Sequence, residues 1–105
     1  PDAGVVIVDL DDPLRPRLLA TVPLRDVRAM MLQFRYLFVV DGDGLDVVDV
    51  THPEQAHVVD GATAPIADAR RVFVARTFAY VAAAHGGLVI VDVAQPEHPH
   101  ALSRY

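Results

Sequence analysis

The sequence predicts an all-β protein built from repeated four-stranded units, and three observations indicate this fold class. A decapeptide that begins with Gly, continues as an apolar run ending in Asp, and closes with Pro occurs at residues 4–13, 44–53 and 87–96. The copies begin 40 and then 43 residues apart, a spacing typical of four-stranded repeats. Between them lie short runs rich in β-branched and aromatic residues, separated by turns that contain Gly or Pro.

The first copy predicts a hairpin. The run Val5–Val8 is β-branched at every position, which favours a strand, and it is apolar on both sides, so both of its faces should be covered. Asp9 ends this run, and the segment Asp11–Pro16 has the composition of a turn. Arg17–Val22 is the second predicted strand, and Pro23 starts a connection because proline cannot donate to a sheet ladder.

The second unit predicts four strands. Val27–Gln33 contains residues that favour a helix in isolation, but it aligns with Arg70–Ala75, which is rich in β formers, and so a strand is predicted. The segment 41–44, Asp-Gly-Asp-Gly, is a tight turn. The other strands predicted in this unit are Tyr36–Val40, Leu45–Val50 and Ala56–Asp60, followed by a connection over Gly61–Ala67.

The third unit repeats the same order, with strands predicted at Ala69–Ala75, Phe78–Ala83, Leu88–Val93 and His100–Tyr105. Four-stranded units at this spacing are typical of β-propeller blades. A β-sandwich has similar strand spacing, but it has no reason to repeat the decapeptide. We therefore predict a β-propeller segment of about two and a half four-stranded antiparallel blades, with a half blade in residues 1–23 and blades in residues 27–61 and 69–105.

The third copy, Gly-Leu-Val-Ile-Val-Asp-Val at 87–93 followed by two prolines, resembles the LVIVD repeat family of bacterial proteins. The first copy keeps Gly4, Val6–Asp9 and both prolines, whereas in the second Asp46 interrupts the apolar run and Ala56 replaces the last proline. The resemblance implies propeller blades, usually in cell-surface or otherwise extracytoplasmic proteins. It implies no reaction, because the family has no agreed catalytic residues.

Composition narrows the function classes. The chain is 52% hydrophobic, but its longest apolar run is of strand length and far short of the roughly 20 residues of a membrane span. The net charge is −5, all nine basic residues are Arg, and no basic patch with interleaved aromatics is present, so nucleic-acid binding is not expected. The absence of Cys excludes disulfides, thiol catalysis and Cys-based zinc sites.

Ring closure predicts the partners. Propellers have about 4–8 blades, and two and a half blades cannot close a ring. The remaining blades, or other protein subunits, are therefore expected to cover the apolar faces at the two ends.

The Asp that ends each decapeptide run recurs as Asp9, Asp49 and Asp92. A carboxylate at this position can accept hydrogen bonds from backbone N–H groups of the following turn. We interpret these residues as turn caps, and no catalytic residue is predicted. A Ser–His–Asp set is not supported either, because Ser103 is the sole serine and lies near the end of the sequence.

Two groups suggest metal ligands. Asp41, Asp43 and Asp46 are close in sequence, and short Asp-rich loops with Gly can bind Ca²⁺, so calcium is the one cofactor that the sequence suggests. The alternative is a plain Gly turn with solvated acids. The histidines are the second group, and a zinc site there would need a third ligand from elsewhere; the alternative is surface residues beside prolines. They are His52, His57, His85, His98 and His100.

Blade topology predicts where a binding site would lie. In a propeller the connections between blades and the turns between the second and third strands share one face, around the mouth of the channel. We call this the loop face; its predicted ligand- or partner-binding residues are Arg25, Asp26, Asp41, Asp43, Asp68 and His85.

Three functions follow from this placement. The first is a non-enzymatic scaffold that binds a protein or ligand at the loop face. The second is a metal-dependent propeller hydrolase that uses the acids and the histidine of that face. The third is a structural subunit of a cell-envelope complex.

Overall fold

The computed structural model of the chain describes residues 4–84 and 87–105, and this part is all-β. Within each sheet, strands that are consecutive in the sequence pair in antiparallel order. The strands are β1 (Val5–Asp9), β2 (Arg17–Val22), β3 (Ala29–Gln33), β4 (Tyr36–Val40), β5 (Gly44–Asp49), β6 (His57–Pro65), β7 (Ala69–Ala75), β8 (Phe78–Ala83), β9 (Gly87–Asp92) and β10 (His100–Arg104).

The strands form three sheets. Sheet 1 is the hairpin β1–β2, sheet 2 has the order β3–β4–β5–β6, and sheet 3 has the order β7–β8–β9–β10. The prediction of four-stranded antiparallel units is thus confirmed for sheets 2 and 3. A 3₁₀ turn at Pro53–Gln55 links β5 to β6. In the described residues, no helix is long and apolar enough to cross a membrane.

The extent of β6 differs from the prediction, which ended this strand at Asp60. β6 continues to Pro65 through an irregularity in its pairing with β5: Val48 pairs with Val58, but Asp46 pairs with Thr63. Four residues of β6 therefore face Val47 alone, and Gly61 adopts a φ of 76° there. The predicted connection over Gly61–Ala67 was therefore wrong for residues 61–65, because the bulge returns the chain to the sheet.

This bulge explains part of the unequal repeat spacing. In sheet 1, Val5 pairs with Val22, which is 17 residues further along the chain. The equivalent Leu45 in sheet 2 pairs with Ala64, which is 19 residues further along. The second strand of the hairpin therefore has two more residues in its bulge in sheet 2 than in sheet 1. The pairs on either side of the bulge are equivalent in the two sheets.

The sheets stack face to face, and sheet 2 is covered on both sides. Val39 and Val48 of sheet 2 pack against Val5 and Val22 of sheet 1. The alternate residues of the same strands face sheet 3, where the second cluster forms. Its fully buried members include Phe38, Val40, Leu45, Val47, Val81, Val89 and Val91. Each buried Val, Leu or Phe contributes roughly 1.5–3 kcal/mol relative to exposure, so these two clusters hold the stack together.

The outer faces of the stack are apolar and exposed. On sheet 1, Val6, Val8 and Leu18 point away from sheet 2, and 43% of Val8 is exposed. On sheet 3, Phe73 and Leu88 point away from sheet 2, and 58% of Phe73 is exposed. The prediction that both faces of each decapeptide strand are covered is therefore confirmed for β5 within this chain, whereas β1 and β9 each expose one face.

Candidate functional site

The connections of the loop face lie together, as the topology predicts. The backbone N–H of Asp68, between sheets 2 and 3, donates to the carbonyl of Gly42 in the β4–β5 turn at 2.8 Å. The N–H of Ile66 donates to the carbonyl of Asp43 at 3.0 Å, and that of Ala84 donates to the carbonyl of Asp68 at 3.1 Å. His85, which was predicted on this face, lies outside the described residues.

Asp26 and Asp68 open sheets 2 and 3 in the same backbone conformation. Their φ angles are 56° and 57°, in the left-handed region that Asp tolerates better than most residues. The shared geometry confirms that the two residues are equivalent in the repeat. It also turns both carboxylates toward the same guanidinium.

That guanidinium belongs to Arg28, which joins the two sheets. It contacts the Asp26 carboxylate at 3.0 Å and also donates to the Asp68 carboxylate. Arg70 contacts the other oxygen of Asp68 at 3.5 Å. The hydrogen bond from Arg28 is the main reason why the pKa of Asp68 is lowered, and the same bond raises the pKa of Arg28.

Arg28 is a residue that our sequence reasoning missed. The signal was present, because Asp26-Val27-Arg28 and Asp68-Ala69-Arg70 are equivalent Asp-x-Arg segments. We call the set Asp26, Arg28, Asp68 and Arg70 the charge ladder. Arg25, which was predicted, is exposed and forms no salt bridge with another described residue.

Asp41 has a structural role within the β4–β5 turn. It is buried, and its Oδ1 accepts the N–H groups of Asp43 at 2.8 Å and of Gly44 at 2.9 Å. This turn passes close to β6: a Cβ on Gly44 would lie 2.2 Å from the carbonyl oxygen of Ala64. Asp41 therefore holds the turn, while Asp43 is exposed and available to a ligand.

Asp46 is the residue with the most perturbed acidity. Its pKa is raised to about 7, mainly by burial and in addition by a hydrogen bond to Asp41 and by the negative charges of Asp41 and Asp43. A proton held between Asp46 and Asp41 removes one of the two negative charges. In residues 4–84 and 87–105, no group of three or more His, Asp or Glu side chains is arranged to hold a metal ion. Calcium binding by Asp41, Asp43 and Asp46 stays a prediction.

The recurrent Asp of the decapeptide caps its turn in all three copies, as predicted. The Oδ1 atom accepts the N–H of the residue two positions on: Asp11 to Asp9 at 2.8 Å, Thr51 to Asp49 at 2.9 Å and Ala94 to Asp92 at 2.9 Å. Hydrogen bonds stabilise the charged form and lower the pKa of these carboxyl groups: the main cause is the backbone N–H of Asp11 for Asp9, and the Thr51 hydroxyl followed by the Thr51 N–H for Asp49.

Two of the histidines, His57 and His100, lie opposite these capping Asp residues in the sheet. His57 and His100 begin the strands that pair with Asp49 and Asp92, as Arg17 does with Asp9. Arg17 contacts Asp9 at 2.8 Å, and His100 lies 3.8 Å from Asp92. The repeat position is thus occupied by a basic side chain beside the capping carboxylate.

A cleft that the sequence did not predict lies on the opposite face, between sheets 2 and 3. Its volume is about 620 Å³, and it opens beside the β3–β4 and β7–β8 turns. Three aromatic residues, Phe34, Tyr36 and Phe38, line one wall, and the turn after β9 lines the other. The β3–β4 and β7–β8 turns are far apart in the sequence, so only the packing of sheet 2 against sheet 3 brings them together.

Comparison with known families gives one match. Residues 25–57 and 66–105 match a family model described as LVIVD repeat. These ranges begin just before β3 and β7, so each match starts at the opening of a four-stranded sheet. Searches of curated proteins and of solved structures found no match.

Proposed function

Because this chain belongs to the LVIVD repeat family, whose repeats are β-propeller-like, we propose that it is a propeller segment that acts as a non-enzymatic binding scaffold. In this proposal, the segment comprises about two and a half blades, namely the half blade in residues 1–23 and the blades in 27–61 and 69–105. Further blades, or other protein subunits, cover its outer faces. The binding surface is the loop face.

The proposal rests on one observation: the exposed faces at the two ends are repeat equivalents of faces buried in the middle. Val48 of sheet 2 packs against sheet 1, and its equivalent in sheet 1, Val8, is exposed. Leu45 of sheet 2 packs against sheet 3, and its equivalent in sheet 3, Leu88, is exposed. Each outer face therefore has the shape and chemistry of a blade interface.

The charge ladder supports the same proposal. Arg28 of one unit pairs with Asp68 of the next, and Arg70 stands in the position of Arg28. The Arg70 side chain is 60% exposed, whereas that of Arg28 is 29% exposed. A following blade that begins with an Asp in the same left-handed conformation would give Arg70 the partner that Arg28 already has.

The test uses the absence of Cys from this chain. We expect the Phe73→Cys and Val8→Cys thiols of the full-length protein to react with a maleimide at least about tenfold more slowly than the Leu14→Cys thiol. Leu14 is the control because it is 91% exposed in the β1–β2 turn, outside either face. Protection that is lost on dilution identifies other subunits as the cover, and protection that persists identifies blades of the same chain. Equal rates at all three positions would refute the proposal.

The loop-face contacts favour a scaffold over a metal-dependent hydrolase. Arg28 pairs with Asp26 and Asp68, and Asp41 is engaged by its own turn. The accessible loop-face groups described are Arg25, Asp26 and Asp43. Elemental analysis separates the two functions, since the hydrolase requires a bound metal at fixed stoichiometry and the scaffold does not.

The envelope-subunit function and the extracytoplasmic location remain predictions. Cell fractionation with this protein followed by immunoblot tests the location. Co-purification at fixed stoichiometry distinguishes an envelope subunit from a freestanding scaffold.

A further inference from the structure

The cleft between sheets 2 and 3 has the size of a small-molecule site. Its volume of about 620 Å³ lies within the range of about 300–1,000 Å³ that is usual for ligand pockets. Phe38 and Val93 form its buried floor. The Gln33 side-chain amide donates to the backbone carbonyl of Arg76 at 2.7 Å, which ties together the two turns at the opening.

The fold does not require an aromatic residue at position 34, which lies at this opening. Phe34 is 93% exposed, so it contributes almost nothing to the core. Its φ of 58° places a bulky side chain in the left-handed region, which is costly for any residue other than Gly, Asn or Asp. The equivalent turn of sheet 3 has Arg76 at this position, so the repeat does not require an aromatic. Because Arg76 has the same left-handed conformation, the strain belongs to the turn, and it is the exposed aromatic side chain at the opening of a cleft that points to a ligand contact.

The charges around the cleft specify the ligand further. Arg35 and Arg76 both line it, and none of the described residues that line it is acidic. In the described part of the chain, neither guanidinium forms a salt bridge. Asp49 lies close enough to Arg35 for a weaker electrostatic interaction. The Arg35 guanidinium lies 5.7 Å from the centre of the Tyr36 ring. In a chain of net charge −5, these two guanidinium groups form a local region of positive charge.

We propose that this cleft binds a small aromatic anion. The aromatic body lies against Phe34 and Tyr36 above the floor of Phe38 and Val93, and the carboxylate or similar anionic group pairs with Arg35 and Arg76. This site is distinct from the loop face, because it lies beside the β3–β4 and β7–β8 turns at the opposite ends of the strands. It therefore extends the proposed scaffold function with a second binding site of defined chemistry.

The test uses naphthalene-2-carboxylate as the probe and the full-length protein in a calorimetric or NMR titration. We expect saturable binding that is at least about tenfold weaker for the uncharged naphthalene-2-carboxamide. Phe34→Ser should weaken binding of the carboxylate about tenfold, and Arg76→Gln about fivefold. Phe34→Tyr should retain binding, because it keeps the ring.

The matched control is Leu14→Ser, which removes an apolar side chain that is 91% exposed in the β1–β2 turn, outside the cleft and the outer faces, and should leave the affinity unchanged. Circular dichroism of each variant checks that the fold is intact, which we expect because Phe34 makes little contact with the core. The proposal is overturned if the carboxylate does not bind, if the amide binds equally well, or if Phe34→Ser and Leu14→Ser have the same effect. Because these readouts use a defined probe, they are independent of whether the loop face binds a partner.

Discussion

The Arg28 guanidinium donates a hydrogen bond to the Asp68 carboxylate, which begins the next sheet of the stack. The bond connects two residues 40 positions apart and supplements the apolar packing between sheets 2 and 3. It also fixes the connection that approaches the β4–β5 turn, where Asp68 donates its backbone N–H to Gly42. The geometry of the loop face therefore depends on a charged contact between sheets.

Replacing Arg28 with Gln should raise the pKa of Asp68 toward its ordinary value of 3.8 and lower the urea midpoint at neutral pH. A lowered pKa means that the ion pair stabilises the fold above about pH 4. The contribution is lost as the pH falls through the folded-state pKa, so the difference between the proteins should vanish in strong acid. Carboxyl ¹³C NMR and urea titrations at several pH values measure both effects.

Arg70→Gln is the matched control for this prediction. Arg70 contacts the other oxygen of Asp68 at the longer distance of 3.5 Å, so its removal should change the Asp68 pKa less. An Asp68 pKa that responds equally to both substitutions would show that Arg28 has no special role between the sheets.

Replacing Asp46 with Asn should stabilise the protein at alkaline pH and have little effect below about pH 4. The folded-state pKa of Asp46 is about 7 against an ordinary value of 3.8, so the folded state holds a proton that the unfolded state releases between these values. Stability should therefore fall as the pH rises from about 4 to 7. Because solvent screens this half-buried group, we expect a gain on the order of 1 kcal/mol for the variant at pH 8.

Asp60→Asn is the control, because Asp60 is an exposed acid on the neighbouring strand β6. A wild-type stability that does not change between pH 5 and pH 8 would contradict the assignment to Asp46. The same proteins test the calcium prediction: if Asp41, Asp43 and Asp46 bind Ca²⁺, added CaCl₂ should raise the melting temperature of the wild type and not that of Asp46→Asn.

Replacing Gly44 with Ala should destabilise the protein by several kcal/mol, on the scale of the most disruptive single substitutions. The new Cβ would lie 2.2 Å from the carbonyl oxygen of Ala64 and 2.8 Å from the backbone nitrogen of Ile66, and Gly44 has a φ of 151°. Gly61→Ala separates this clash from backbone strain alone, since Gly61 has a φ of 76° and no atom within 4 Å of the new Cβ. We expect about 1 kcal/mol for Gly61→Ala, and similar costs for both variants would refute the clash.

Replacing Phe34 with Gly should stabilise the protein by about 0.5–1 kcal/mol, because Gly removes the left-handed strain at the cost of some unfolded-state entropy. The side chain is 93% exposed, so almost no packing is lost. Thermal unfolding monitored by circular dichroism measures the change. Arg76 has a φ of 57° in the equivalent turn of sheet 3, so Arg76→Gly should increase the free energy of unfolding by a similar amount. A loss of stability in Phe34→Gly would mean that the ring packs against the fold.

The sequence predicted the local structure well because the repeat supplies independent copies of each strand and turn. The caps by Asp9, Asp49 and Asp92 were predictable for this reason, since each needs only the two residues that follow it. The strand Ala29–Gln33, ambiguous in isolation, was resolved by its equivalent in the third unit.

Features that depend on strand register or on the stacking of sheets were not predictable. The bulge in β6 arises from its register against β5, which periodicity alone does not report. The contacts of Arg28 and the cleft beside Phe34 both require the stacking geometry of sheets 2 and 3. The repeated Asp-x-Arg segment was a visible signal for Arg28, whereas no pattern in the sequence marked the cleft.

The two-sided burial of sheet 2 has a consequence for how this chain unfolds. Opening sheet 2 disrupts both apolar clusters, whereas opening sheet 1 or sheet 3 disrupts one of them. In stacked repeats, stability is the sum of the units and of their nearest-neighbour interfaces, so the end units fray before the middle one. The amide hydrogens of β4 and β5 should therefore exchange more slowly with solvent deuterium than those of β1 or β10.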